Sequence, residues 1–206
     1  MELPQEIARA TEVLRRGGVV AFPTDTVYGL GASIFLPRAV ERVFELKGRP
    51  RHQPLPVLVS SFEQVAGLAS VPPGAATLAK RFWPGALTLV LAALEAAPEL
   101  VTAGSGKVAV RLPDHPVPLA LIEGLGTPIT GTSANLSGEP SARTAQEVRA
   151  QLREKVDMVL EGGPTPRGVE STIVDLTGKA PLVLREGAIS RKEIEECLGV
   201  ALEVLR

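Results

Sequence analysis

The chain has 206 residues, room for one large domain or two small ones at roughly 100–200 residues each, and long enough to fold without disulfides or a structural metal. At 45% hydrophobic and 22% charged residues it has the composition of a globular protein, not a disordered one. Its 22 basic and 23 acidic residues leave a net charge of −1 and its aromatics are only 3%, which excludes wholesale electrostatic or base-stacking capture of nucleic acid as the default.

Taken in chain order, residues 5–16 read as an amphipathic helix, with Ile7, Ala10, Val13 and Leu14 on one face and Gly17–Gly18 as its stop. Val19 to Phe22 reads as a buried strand ending at Pro23. Pro37 suits the first turn of a helix that runs to Lys47. Val57 to Val59 follows as a strand, and Ser61 with Gln64 predicts a capping box on a short helix. Gly74 to Phe82 is helical, Leu87 to Ala92 a strand, Val108 to Leu112 another, and Pro118 to Glu123 a helix. A strand beginning at Pro128 leads into the loop GTSANLSGEPS. Thr144 and Glu147 cap a helix reaching about Lys155, followed by strands near 158–160, 172–175 and 182–184. Ser190 and Glu193 cap the last helix, which Gly199 ends. This alternation predicts a single α/β domain over residues 1–206, with a twisted mixed sheet because the last strands lack intervening helices.

Much chemistry is ruled out. Cys197 is the lone cysteine, so neither an intrachain disulfide nor a cysteine-rich zinc site exists. His52 and His115 are the two histidines and have no metal-binding spacing, so no protein metal site is expected. No P-loop is present. GSGKVA (Gly104 to Ala109) fits a minimal dinucleotide pattern but precedes a strand instead of following one, so a turn is the better reading. GTSAN lacks the second glycine of a nucleophile elbow. The N-terminus has no signal-peptide core and no apolar run approaches the roughly 20 residues of a membrane span, so a cytoplasmic protein is expected.

Four segments put polar or cationic residues where loops meet strand ends, the usual ligand position in α/β sheets. PTDTVYGLG (Pro23 to Gly31) offers Asp25, two threonine hydroxyls and glycines that let backbone approach a ligand. KGRPRHQPL (Lys47 to Leu55) makes a cationic corner stiffened by Pro50; cations at a helix C-terminus also simply complement its dipole. TSANLSGEPS (Thr132 to Ser141) surrounds Asn135, the chain's one asparagine, and such loops either bind phosphate and ribose or form turns. ESTIVD and LREG place Ser171 and Arg185 on neighbouring strand ends. Each signal alone is weak.

In this order, PTDTVYGLGA, KGRP, WPGALTLVL, VAVRLPDHP, TSANLSG, ESTIVD and LREG resemble the YrdC-like threonylcarbamoyl-AMP synthase family, from about Val19 to Gly187. The family's K-x-R and S-x-N pairs stand as Lys47/Arg49 and Ser133/Asn135. The resemblance implies an α/β fold with a deep, positively charged groove. It implies condensation of L-threonine, bicarbonate and ATP into threonylcarbamoyl-adenylate, with pyrophosphate released. A separate transferase complex would then modify the adenosine beside the tRNA anticodon, so direct tRNA contact would be weak at most.

By the same resemblance, Lys47 and Arg49 are the catalytic cations, with Lys47 beside the phosphates. Thr26, Arg111 and Ser171 line the threonine side. Arg49, Gln53, Ser133, Asn135, Ser141 and Arg185 line the ATP side, and Mg²⁺ arrives with ATP. Gln53 stands where many relatives carry Asn, Leu58 where many carry His, and Lys107 where a small hydroxyl is common. The longer members carry a second domain, which is not expected in residues 1–206. Two alternatives remain: an RNA-binding module using the same groove without turnover, and a carbamoyl-activating relative of metallocentre assembly.

Overall fold

Apolar runs fix the strands and short caps fix the helices, and the computed structural model describes the result for residues 3–204. In chain order the first part comprises α1 (Leu3–Arg15), β1 (Val20–Phe22), β2 (Gly29–Gly31), α2 (Pro37–Lys47), β3 (Val57–Leu58), α3 (Phe62–Leu68), α4 (Pro73–Phe82) and β4 (Leu87–Ala92). Then come α5 (Glu99–Thr102), β5 (Lys107–Arg111), α6 (Pro116–Leu125), β6 (Ile129–Thr130) and β7 (Thr132–Ser133). The chain continues through α7 (Ala145–Leu152), β8 (Met158–Val159), β9 (Thr172–Asp175), β10 (Leu182–Arg185), α8 (Arg191–Leu198) and β11 (Glu203–Val204).

Helix ends follow their local chemistry. Pro37 opens α2 and Gly48 closes it in the left-handed conformation, at φ 60°. Ser190 and Glu193 make a full capping box on α8. The box expected at Ser61 is only half made. Ser61 Oγ accepts from Gln64 N–H, but the Gln64 side chain accepts from Ser60 N–H at 2.9 Å instead of returning to Ser61.

The strands are mixed, as expected, but divide into two sheets. The smaller has the order β7-β2-β1-β8, and the larger β11-β10-β9-β4-β5-β3-β6. Within the larger, β4 runs parallel to β9 and antiparallel to β5, and β3 runs parallel to β5. One core lies along the larger sheet, and a second joins α1 and α6 to β1 around Leu14, Phe22, Leu121 and Ile129.

Three glycines explain the crossing between the sheets and the packing within the smaller one. The chain passes from β6 in the larger sheet to β7 in the smaller through Gly131 alone. A Cβ on Gly131 would lie 2.3 Å from Leu58 Cγ, so only glycine fits this crossing. In β2, Cβ atoms on Gly29 and Gly31 would fall 2.9 and 2.5 Å from the Phe22 ring. These glycines therefore make room for an aromatic ring of the paired strand. Packing against Phe22 accounts for both glycines without a ligand, the structural of the two roles this segment could have.

A further close contact sets the corner where the segment before β9 meets the segment after β10. Ala188 N–H donates to Glu170 O at 2.9 Å, which draws the chain so tightly that a Cβ on Gly187 would lie 2.2 Å from the same oxygen. Backbone blocks the space, so no side chain can move aside. Gly187→Ala is expected to cost about 1–3 kcal/mol of stability by overpacking, read by denaturant titration. An unchanged midpoint would show that the corner can open.

Candidate functional site

A cavity of about 610 Å³ opens where the two sheets meet. The larger sheet contributes Thr88 from β4, Arg111 from the end of β5 and Arg185 from the end of β10, with Ser171 just before β9. The α2 C-terminus contributes Lys47, followed by Arg49 and Gln53, and the segment after β7 contributes Asn135. Of the residues singled out in sequence, Thr26, Lys47, Arg49, Gln53, Arg111, Ser133, Asn135, Ser171 and Arg185 all line it. Ser141 does not line it but touches Glu170, which does.

Lys47 is 3% exposed, and its ammonium donates to Ser133 O at 2.6 Å and to Asn135 O and Oδ1 at 2.9 Å each. Those contacts use all three of its donors. The resemblance put Lys47 beside phosphate; in this structure its whole donor set holds the loop that follows β7. Asn135 completes the clasp. Its Oδ1 also accepts from Ser133 Oγ, and its Nδ2 donates to Glu139 O, both at 2.6 Å. The K-x-R and S-x-N segments are thus one mechanical unit.

Arg111 is buried, with three donors engaged: Nε on Gly85 O, Nη1 on Thr26 Oγ1 and Nη2 on Asp25 Oδ1. Two of its five N–H groups remain for a ligand. Burial pulls its pKa down while the Asp25 carboxylate holds it up. Thr26 sits in a turn organised by Thr24, whose Oγ1 donates to Val27 O at 2.7 Å and accepts from Thr26 N–H. Gly168 N–H closes over the turn onto Thr26 O.

Further along the larger sheet, Arg185 donates Nε to Ser171 O and forms an ion pair with Glu170. It reaches the cavity because a bulge between Val183 and Arg185 shifts the register of β10 and leaves Leu184 exposed. Ser171 Oγ lies 2.8 Å from Thr88 Oγ1. Arg49 donates to the carbonyls of Gln53 and Pro54. Among the described residues no carboxylate pairs with it, and burial and the charge of Arg185 both lower its pKa. An unpaired, half-buried guanidinium is an anion site in waiting.

Leu58 lines the cavity wall as a buried apolar side chain. Lys107 lies away from the cavity, half solvated and paired with Asp175 at 2.9 Å beside a separate small pocket. Glu170, given no role in sequence, lines the cavity and pairs with Arg185, and Asp25 pairs with Arg111. Among the described residues no three His, Cys, Asp or Glu side chains form a metal-holding group. No described helix is long and apolar enough to cross a membrane.

Comparison with known proteins adds the family. Residues 12–187 match the model of the Sua5/YciO/YrdC family, described as telomere recombination. The chain belongs to that family. Threonylcarbamoyl-AMP synthase of Pyrococcus abyssi is 48% identical over 195 residues, covering 94% of this chain and 57% of that protein. The enzyme of the same name from Bacillus subtilis is 47% identical over 196 residues, again 94% and 57%. The crystal structure of P. abyssi Sua5 complexed with L-threonine superposes with a TM-score of 0.94 at 46% identity, over 97% of this chain and 58% of that one. The chain therefore spans a little over half the length of these relatives, and its match to the family covers every segment that lines the cavity.

The clasp at Lys47 has a pH signature. Burial, with the charge of Arg49 added, lowers its pKa from 10.5 to about 8. The unfolded chain thus holds this proton longer, and linkage favours folding as pH rises from about 8 toward 10.5. Lys47→Met lacks that group and leaves the loop acceptors unpartnered, at a cost of about 1–3 kcal/mol. The stability gap between wild type and Lys47→Met is expected to widen across that pH window in denaturant titrations. A gap that stays flat would assign the titration to another group.

Proposed function

We propose that this chain condenses L-threonine, bicarbonate and ATP into threonylcarbamoyl-adenylate and pyrophosphate. The observation that carries the reading is the convergence of Lys47, Arg49, Ser133 and Asn135 on one cavity with Thr26, Arg111 and Ser171. Supporting it are the two relatives named for this synthesis and the threonine-bound structure of one.

The chemistry needs no protein nucleophile. Threonine and bicarbonate form a carbamate with loss of water. A carbamate oxygen attacks the α-phosphorus of ATP, the new P–O bond forms, and the bond to the β-phosphate bridging oxygen breaks to release pyrophosphate. What the protein supplies is positioning and stabilisation of charge on phosphate. Arg111 turns its two remaining donors to the amino-acid carboxylate, and the hydroxyls of Thr26 and Ser171 read its polar groups. Arg49 and Arg185 take the phosphates, with Gln53, Ser133 and Ser141 on the same side. Lys47 and Asn135 act by holding the loop. Magnesium would travel on the ATP phosphates and water, which suits a site where no three acidic, His or Cys side chains among the described residues form a metal-holding group.

The product passes to a separate transferase complex for tRNA modification, and we place the reaction in the cytoplasm with its ATP and tRNA. An RNA-binding role is the weaker reading. Lys47 and Arg111 are 3% and 6% exposed, too recessed to meet a nucleic-acid backbone.

Pyrophosphate release is expected to stop when threonine or bicarbonate is omitted, and to fall roughly tenfold or more with serine, which lacks one methyl group. Arg49→Ala should raise the KM for ATP by about tenfold or more, the worth of a charged hydrogen bond, while Ser171→Ala should mainly raise that for threonine. Turnover that is indifferent to threonine would overturn the reading.

A further inference from the structure

The most unexpected group in a site for a polyanion is a carboxylate. Glu170 lies just before Ser171, on the cavity wall, and both its oxygens face donors. Oε1 accepts from Ser141 Oγ, and Oε2 is ion-paired with Arg185 Nη1. Ser141 and Arg185 are two of the groups assigned above to nucleotide. The backbone of Glu170 is anchored by Ala188 N–H and hemmed in by Gly187. Its side chain is different: the Glu170 and Arg185 side chains are 32% and 40% exposed, so the carboxylate can swing into solvent while its backbone stays fixed.

We propose that Glu170 is a resident counter-ion: it occupies the anion position of Arg185 and Ser141 in the empty cavity, yields it to phosphate, and returns to drive pyrophosphate out. This rests on the ATP reading above. Electrostatics gives the reason for such a group. Arg49 and Arg185 are close enough to lower the pKa of Arg49, and among the described residues Arg49 has no carboxylate partner of its own. Without Glu170 the empty site would hold two uncompensated guanidinium groups, and any phosphate species, product included, would bind tightly. A carboxylate tethered on the protein competes intramolecularly and so weakens every anion by a constant factor. A cation-ligand role fits less well, because a metal ion at these oxygens would sit against the Arg185 guanidinium.

Release, not chemistry, is the step such a device serves. Glu170→Gln keeps the size and a hydrogen-bond acceptor but removes the charge. Calorimetric titration of the full chain with pyrophosphate is expected to show roughly tenfold tighter binding in Glu170→Gln than in wild type. In the Arg185→Ala background the same substitution should change affinity little, because the competition is for Arg185. In turnover, Glu170→Gln should lower the KM for ATP and lower kcat together. Glu170→Asp, too short to reach both partners, should give intermediate tightening and serves if the Gln variant folds poorly.

Unchanged or weaker pyrophosphate binding in both variants would overturn the proposal, whatever the wild type's activity. If wild-type chain makes threonylcarbamoyl-adenylate but Glu170→Gln shows no tightening, only the counter-ion idea falls. If neither wild type nor variants bind ATP or pyrophosphate, the synthase reading falls with it.

Discussion

One buried ammonium holds this site together. Lys47 terminates α2, and its charge is surrounded by two backbone carbonyls and one carboxamide of the loop after β7. A buried lysine is normally unfavourable unless its charge is met by partners. Here the partners come from a segment more than eighty positions away in sequence. The interaction therefore welds a helix of one part of the chain to a strand end of another. Arg49 follows two residues later and inherits its placement from the same helix terminus, with Gly48 turning the chain between them.

Around that anchor the cavity divides by charge. One side contains Arg111 already matched by Asp25, while the other contains Arg49 without a carboxylate and Arg185 with one that is partly solvated. Gly131 fixes how the cavity's two sheets join, since it alone separates β6 of one from β7 of the other. A substitution there would collide with Leu58, itself a cavity wall. The packing of an apolar residue and the position of the polar loop are thus a single constraint.

The sequence revealed the parts whose causes are local. The run Leu87 to Ala92 forms β4 over the full predicted span, Pro37 to Lys47 forms α2, and the Ser190 box stands on α8. It missed the division into two sheets, because pairing depends on partners far apart in the chain. It missed β2 as well: Gly-Leu-Gly carries no strand pattern of its own, and pairs with β1 with the Phe22 ring filling the space its glycines leave. In the site, the motif residues were legible as a group but their division of labour was not. Nothing in the spacing shows that Lys47 faces carbonyls, or that Glu170 pairs with Arg185 on the cavity wall.

The Arg111–Asp25 pair has one more implication. Each charge neutralises the other before any ligand arrives, and Asp25 Oδ2 has no hydrogen-bond partner among the described residues. That half of the cavity is accordingly a fixed dipole in low dielectric, not a net positive patch. A free amino acid is itself a zwitterion, with no net charge but a large dipole moment. Under the proposed function such a molecule gains little from a monopole and much from an oriented field, so its recognition is a matter of alignment, while phosphate groups respond to sheer charge.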